Sequence, residues 1–158
     1  MKNLKTYWKS LLRKIIQPTA PLNGKEDNRT EKRKTGDLGE RIACEWLESN
    51  EFLIILTNYT KKWGEIDIIA QKFKKLHFIE VKSVTRESLD DVLSGNDSFR
   101  PEDNIHPWKL KRISRTIQSY VLENEIGDDK DWQFDVMTVY LDTDKKEAKV
   151  EFMGDLIL

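Results

Sequence analysis

Hydrophobic and polar positions recur along this chain with two different periods, and the switches between them mark its elements. Residues 2–17 place Leu4, Tyr7, Trp8, Leu11, Leu12, Ile15 and Ile16 at the three-and-four spacing of one helical face, with Lys2, Lys5, Lys9, Arg13 and Lys14 around the rest. Pro18 and Pro21 end that helix. The polar stretch 18–35 reads as a flexible linker before a body that starts near Gly36. Helical spacing returns over 37–49 through Leu38, Ile42, Trp46 and Leu47. Residues 52–58, rich in Ile, Leu and Phe, predict a strand, and 65–73 and 76–84 predict two more, joined by a Lys-rich turn. Residues 85–106 follow neither period, hold Gly95, Asn96, Pro101 and many acids, and predict a long loop. Pro107 suits a first helical turn. The helix it opens is expected to run to about Glu125, with Trp108, Ile113, Ile117, Tyr120 and Val121 inward. Strands over 132–141 and 147–153 close the chain. This order predicts an α/β fold, a mixed sheet flanked by helices over 36–158, with a basic amphipathic helix and linker, 1–35, appended.

Composition narrows the class. A chain of 158 residues suits one domain with a tail, and 38% hydrophobic with 35% charged residues places it among globular proteins with a charged surface. No run reaches the roughly 18 apolar residues of a membrane-spanning helix. The N-terminus has no apolar signal core with a small-residue cleavage site. A cytoplasmic location is therefore expected. The lone Cys44 leaves no intramolecular disulfide to form and falls in a helical pattern, as a small buried residue rather than a nucleophile. The net charge of -1 hides an asymmetry: residues 1–35 carry ten Lys or Arg against three acids, and the rest carries seventeen against twenty-five. An acidic body must meet nucleic acid through local basic patches, while its acidic clusters suit divalent cations.

The second and third body strands carry the candidate chemistry. One reads Gly64-Glu65-Ile66-Asp67-Ile68-Ile69-Ala70, the other Phe78-Ile79-Glu80-Val81-Lys82. Alternation puts Glu80 and Lys82 on one side of their strand. Charges set in apolar strands are costly to bury unless they pair or bind a metal. Asp67 and Glu80 on adjacent strands, with the Val81 carbonyl, offer oxygen ligands to Mg²⁺ or Mn²⁺. A bound ion activates water and offsets charge on a phosphodiester, and Lys82 orients that water or steadies the phosphate. Spacing alone leaves a second reading open, in which Glu and Lys form ordinary cross-strand pairs and Asp67 braces a turn.

The wider pattern decides between them. Gly36-Asp37-Leu38-Gly39-Glu40-Arg41-Ile42-Ala43, then Asn58, then the two strand blocks, then Phe134-Asp135-Val136, resembles the YraN (UPF0102) family. That family has a restriction-endonuclease-like fold of the PD-(D/E)xK nuclease superfamily, related to archaeal Holliday junction resolvases. The resemblance runs from about Gly36 to the C-terminal strands. It implies that Asp67 is the metal-binding Asp, that Glu80 and Lys82 are the Glu-x-Lys pair, and that Glu40 reaches the metal from the first core helix. Glu65 stays outside that set. The chain departs from the family in having Val84 where an arginine is usual, and Thr60 and Lys61 where arginine follows the Asn; Lys61 and Lys62 are candidate replacements.

Lys109, Lys111, Arg112 and Arg115 cluster at the start of the second body helix, where a phosphate backbone would be drawn, or where they form a solvated face. Lys109 matches a basic position of the family. Alternation turns His77 away from Glu80, a structural placement, and His106 fits a helix entry. The helix over 2–17 docks on a membrane surface, a partner, a second copy or the body itself, since seven large apolar residues should not stay in water. The expected function is a metal-dependent endonuclease on branched or structured DNA, possible as a homodimer. The alternatives are a non-catalytic nucleic-acid-binding module of the same fold and an interaction protein docked through that helix.

Overall fold

Each apolar run of the body finds a partner surface in the computed structural model, which describes residues 29–87, 89, 106–142 and 144–158. The helix expected over 2–17, the linker up to residue 28 and nearly all of the loop expected over 85–106 lie outside the described residues. The described elements are α1 (Glu31–Ser49), β1 (Leu53–Lys61), β2 (Gly64–Lys72), β3 (Lys75–Thr85), α2 (Pro107–Glu123), β4 (Trp132–Asp142) and β5 (Glu147–Leu156). Their order is the predicted one.

The five strands lie in sequence order in a single sheet. β1, β2 and β3 form antiparallel neighbours, β3 and β4 are parallel, and β5 returns antiparallel along β4. A parallel pair needs a crossover, and α2 supplies it. The two faces bury separate clusters. Ile42, Ala43 and Leu47 of α1 pack on Ile68, Ala70, Ile79, Met137 and Val139. Ile113, Ile117 and Tyr120 of α2 pack on Ile66, Ile69, Phe78, Phe134 and Val136. Adjacent β3 residues Phe78 and Ile79 thus serve opposite faces, as strand alternation requires. The result is an α/β fold, consistent with a restriction-endonuclease-like architecture.

Two expectations need correction. α1 begins at Glu31 rather than at residue 37. Residues 31–36 contain no apolar side chain, so hydrophobic period is silent there. The start is set by a cap instead: the Thr30 hydroxyl accepts from the Arg33 N–H at 3.3 Å, and Glu31 stands in the first turn. Trp108 was expected inward and is 59% exposed. It lies five residues before the buried Ile113, ~140° around the helix from it, at 100° per residue.

Candidate active site

The site forms where the sheet stops being regular. The β2–β3 ladder runs from Lys72↔Lys75 to Ile68↔Ile79. Just past that last pair, the Asp67 carboxylate takes the place of a ladder partner: its Oδ2 accepts the Val81 N–H at 2.7 Å. On the other side of β2, Asn58 lies between the Thr57↔Ile68 and Tyr59↔Ile66 pairs with a left-handed φ of 54°. Asn adopts that conformation more readily than most residues. Alternation breaks with it, since Ile66 packs toward α2 while Ile68 packs toward α1. The irregularity parts the strands and leaves Asp67 at the opening.

Glu80 is the next charge in. It is 7% exposed, and on β3 it shares the α2 side with Phe78 and Lys82. Its ion-pair partner is Lys109 from the first turn of α2, not Lys82. Asp67 and Glu80 line one cleft of about 280 Å³ with Glu65, Trp108, Lys109 and Arg112. Gly64 lets this cleft close at its base, because a Cβ there would stand 2.7 Å from Thr116 Oγ1 of α2.

The Asp67 carboxyl is buried and feels the Glu80 charge. Burial, then the charge of Glu80, pushes the Asp67 carboxyl up to about 8, against the Val81 hydrogen bond that favours the charged form. Glu40 on α1 adds to that push, and Lys109 opposes it. Glu40 is itself raised by burial, eased by a hydrogen bond from Asn58, and raised further by Asp37, Glu65 and Glu80. Burial lowers the Lys82 ammonium, the Lys109 charge lowers it further, and Glu80 opposes both. The positive potential of Lys109 and the negative one of three acids therefore meet at one spot. Among the described residues, no three His, Cys, Asp or Glu side chains form a metal-holding group on their own.

Other sequence-predicted positions fall nearby or elsewhere. Glu40 feels the site electrostatically without lining the cleft. α1 lies close to the sheet because Gly39 has no side chain: a Cβ there would come within 1.8 Å of Ser83 Oγ. Arg112 donates from Nε to the Trp63 carbonyl, and Arg115 lies over the Trp63 ring at 5.5 Å. Lys111 is exposed and outside the cleft wall. Lys61 is tied to Glu123 at 2.5 Å and does not reach the cleft, whereas Lys62 lies over Trp63 at 5.2 Å. Val84 packs with Leu89 and Tyr140. His77 meets Asp135 at 2.6 Å on the α1 face, and Asp135 is fully buried and also accepts from Gln133 and the Asp155 N–H. The Asp of the Phe-Asp-Val block thus has a structural role. His106 occupies the α2 cap position without a side-chain cap bond. The Cys44 thiol is pushed up to about 11, first by burial and then by Glu48, Glu40 and Glu45, so it is no nucleophile at neutral pH.

Sequence reading gave Asn58 no role, although an Asn inside an apolar strand is a signal for broken pairing. It also gave none to Trp63, a residue of the β1–β2 turn.

Sheet order and crossover together define an α/β protein whose fold is consistent with a restriction-endonuclease-like architecture. Residues 39–139 match the uncharacterised protein family UPF0102, and the chain belongs to that family. It is 35% identical over 120 residues to a UPF0102 protein of Flavobacterium psychrophilum, covering 76% of this chain and 90% of that one. A UPF0102 protein of Campylobacter lari is 38% identical over 117 residues, 74% and 93% of the two chains. One from Aliarcobacter butzleri is 40% identical over 96 residues, 60% and 77%. Among the described residues no helix is long and apolar enough to cross a membrane.

Proposed function

We propose that this protein is a Mg²⁺- or Mn²⁺-dependent endonuclease that hydrolyses phosphodiester bonds in branched or structured DNA in the cytoplasm. The observation that carries the reading is the shared cleft of Asp67 and Glu80 at the point where β2 and β3 part. The donor set fits a divalent ion. The Val81 N–H occupies Oδ2 of Asp67, which leaves Oδ1 for coordination, and Glu80 is buried beside it. Mg²⁺ commonly takes one or two carboxylates and keeps several waters, so a third acid in direct contact is not required. Asp67, Glu80 and the Val81 carbonyl would hold the ion, with Glu40 assisting through its field. Bound there, such an ion supplies Lewis acidity to a water and to the phosphate.

The chain's own residues supply the rest. Lys82, half-buried on the Glu80 side of β3, donates to the attacking water or to the charge that develops on phosphate. Arg112 on the cleft wall, with Lys62 and Arg115 behind it, receives the flanking phosphates. A homodimer would present two such clefts to the two strands of a branched substrate.

One observation favours a second reading, a binding module without turnover: Lys109 already partners Glu80. An ammonium there offsets the carboxylate without an ion. Cleavage of labelled linear, flapped and four-way junction DNA with Mg²⁺, Mn²⁺ or chelator separates the two. The enzyme reading expects metal-dependent cutting that Asp67→Asn abolishes and Lys82→Ala reduces at least about a hundredfold while leaving Mn²⁺ binding in place. Salt-dependent binding with no cutting under any metal establishes the module instead. Activity retained in full by either variant removes the roles given to these two residues.

A further inference from the structure

We propose that Trp108 is a stacking platform for an unpaired nucleobase, so that the substrate is a nucleic acid with a single-stranded nucleotide beside the cleaved phosphate. The inference rests on the reading of the neighbouring carboxylates as a phosphodiester-cleaving centre, and extends it to the kind of substrate.

Trp108 is 59% exposed although it begins a helix whose other large apolar residues are mostly turned inward. It lines the same cleft as Asp67 and Glu80. Its flat aromatic face, set in a cleft beside charged groups, can stack on another ring. The ring is also held in place. The Arg112 guanidinium, one turn further along α2, lies 5.6 Å from its centroid, and Arg112 is anchored in turn by its Nε bond to the Trp63 carbonyl. Trp63 carries Lys62 at 5.2 Å and Arg115 at 5.5 Å from its own ring. The cleft wall thus sets the Trp108 indole beside Lys109 and Arg112, with the carboxylates of Glu65, Asp67 and Glu80 in the same cleft, and the Trp63 ring with its two cations adjoins it through Arg112.

This arrangement fits one occupant best. Alternating aromatic rings and basic groups are how proteins take single strands: bases stack on the rings while phosphates lie on the cations. In a duplex the base faces are already stacked on one another and offer no surface to an indole. Blunt duplex therefore engages Arg112, Arg115 and Lys62 and leaves the Trp108 ring unused. A flap, a gap or an open branch point engages Trp108 as well. Stacking is blind to base identity, so the preference is for structure and not for sequence.

The test measures affinity of the full chain, in EDTA, for fluorescein-labelled blunt duplex, 5′-flapped duplex and single-stranded DNA, and for the same single strand as RNA. Trp108→Ala is expected to weaken flap and single-strand binding about tenfold and to leave blunt duplex within about twofold. Trp108→Phe should recover most of the loss, because a smaller ring still stacks. An abasic nucleotide at the flap junction should remove the difference between wild type and Trp108→Ala. Loss of the same size on the DNA or the RNA strand supports the platform, and the tighter of the two identifies the sugar. Equal loss on duplex and single strand, or no loss on either, overturns it. Dissociation of a dimer by Trp108→Ala in sedimentation also overturns it, since the indole would then be a contact between copies. Cleavage is scored separately in Mn²⁺. Cutting by wild type with no effect of Trp108→Ala on binding sinks the platform alone; the binding pattern without any cutting sinks the endonuclease reading alone.

Discussion

Asp67 bears the largest electrostatic cost in the described site. Its carboxyl is raised from the ordinary 3.8 to about 8 by burial and by Glu80, so the folded protein favours the protonated form. The consequence for stability has a definite sign. Below the unfolded value near 3.8 the group costs nothing. As pH rises from there toward 8 the unfolded chain ionises first, and folding pays a growing penalty. With divalent ions removed, Asp67→Asn should therefore be more stable than the wild type at pH 8.5, by ~2 kcal/mol, and the gap should shrink toward pH 4. Thermal denaturation of both proteins across that range reads it directly. A gap that is the same at both ends would remove ionisation of the Asp67 carboxyl, held up by burial and then by Glu80, as its cause. The asparagine carbonyl can still accept the Val81 N–H, so the comparison isolates charge.

At the scale of elements, the site depends on how closely two helices approach the sheet. α1 comes near β3 because Gly39 faces Ser83, whose Oγ would lie 1.8 Å from an added Cβ and whose own Cβ would lie 2.9 Å away. Rotation of the serine hydroxyl relieves the first contact and not the second. Gly39→Ala is expected to cost ~1–3 kcal/mol through overpacking, more than the ~1 kcal/mol that alanine returns in helix propensity. It should also lower cleavage, because Glu40 moves with the helix. Adding Ser83→Gly should restore most of the stability in urea titrations. If the double variant is no more stable than Gly39→Ala alone, the approach of α1 is limited by something other than Ser83. α2 has the complementary role: Ile113 and Ile117 fix it to the sheet, and Lys109, Arg112 and Trp108 then stand at fixed places around the cleft.

At the scale of the whole molecule, net charge works against the proposed nucleic-acid substrate. Residues 36–158 are acidic in balance, and on that proposal a phosphate backbone meets the basic side chains Lys62, Arg112 and Arg115 at and beside the cleft. Three phosphate contacts give a slope of about −3 when log affinity for duplex DNA is plotted against log salt. A slope steeper than about −6 would mean that other basic groups carry the binding, with residues 1–35 and their ten Lys or Arg the first to test by substitution. The docking site of the helix over 2–17 is an expectation from sequence, since that helix lies outside the described residues.

The sequence by itself determined the order of elements, because apolar period reports which face of each segment is buried. It also singled out Asp67 and Glu80 on β2 and β3 as candidates, since charges in apolar strands stand out against their neighbours. The α1 start escaped it because a cap and a polar first turn leave no period to read. Only the tertiary structure decided the rest. Lys109 and not Lys82 answers Glu80, because the crossover brings α2 back across β2 and β3. Asn58 and Asp67 break the ladder together, because each is opposite the other's strand. Trp108 turns outward, because helix phase is set by Ile113 and Ile117 meeting the sheet. Each of these depends on residues distant in the chain, and a one-dimensional pattern contains no distance between them.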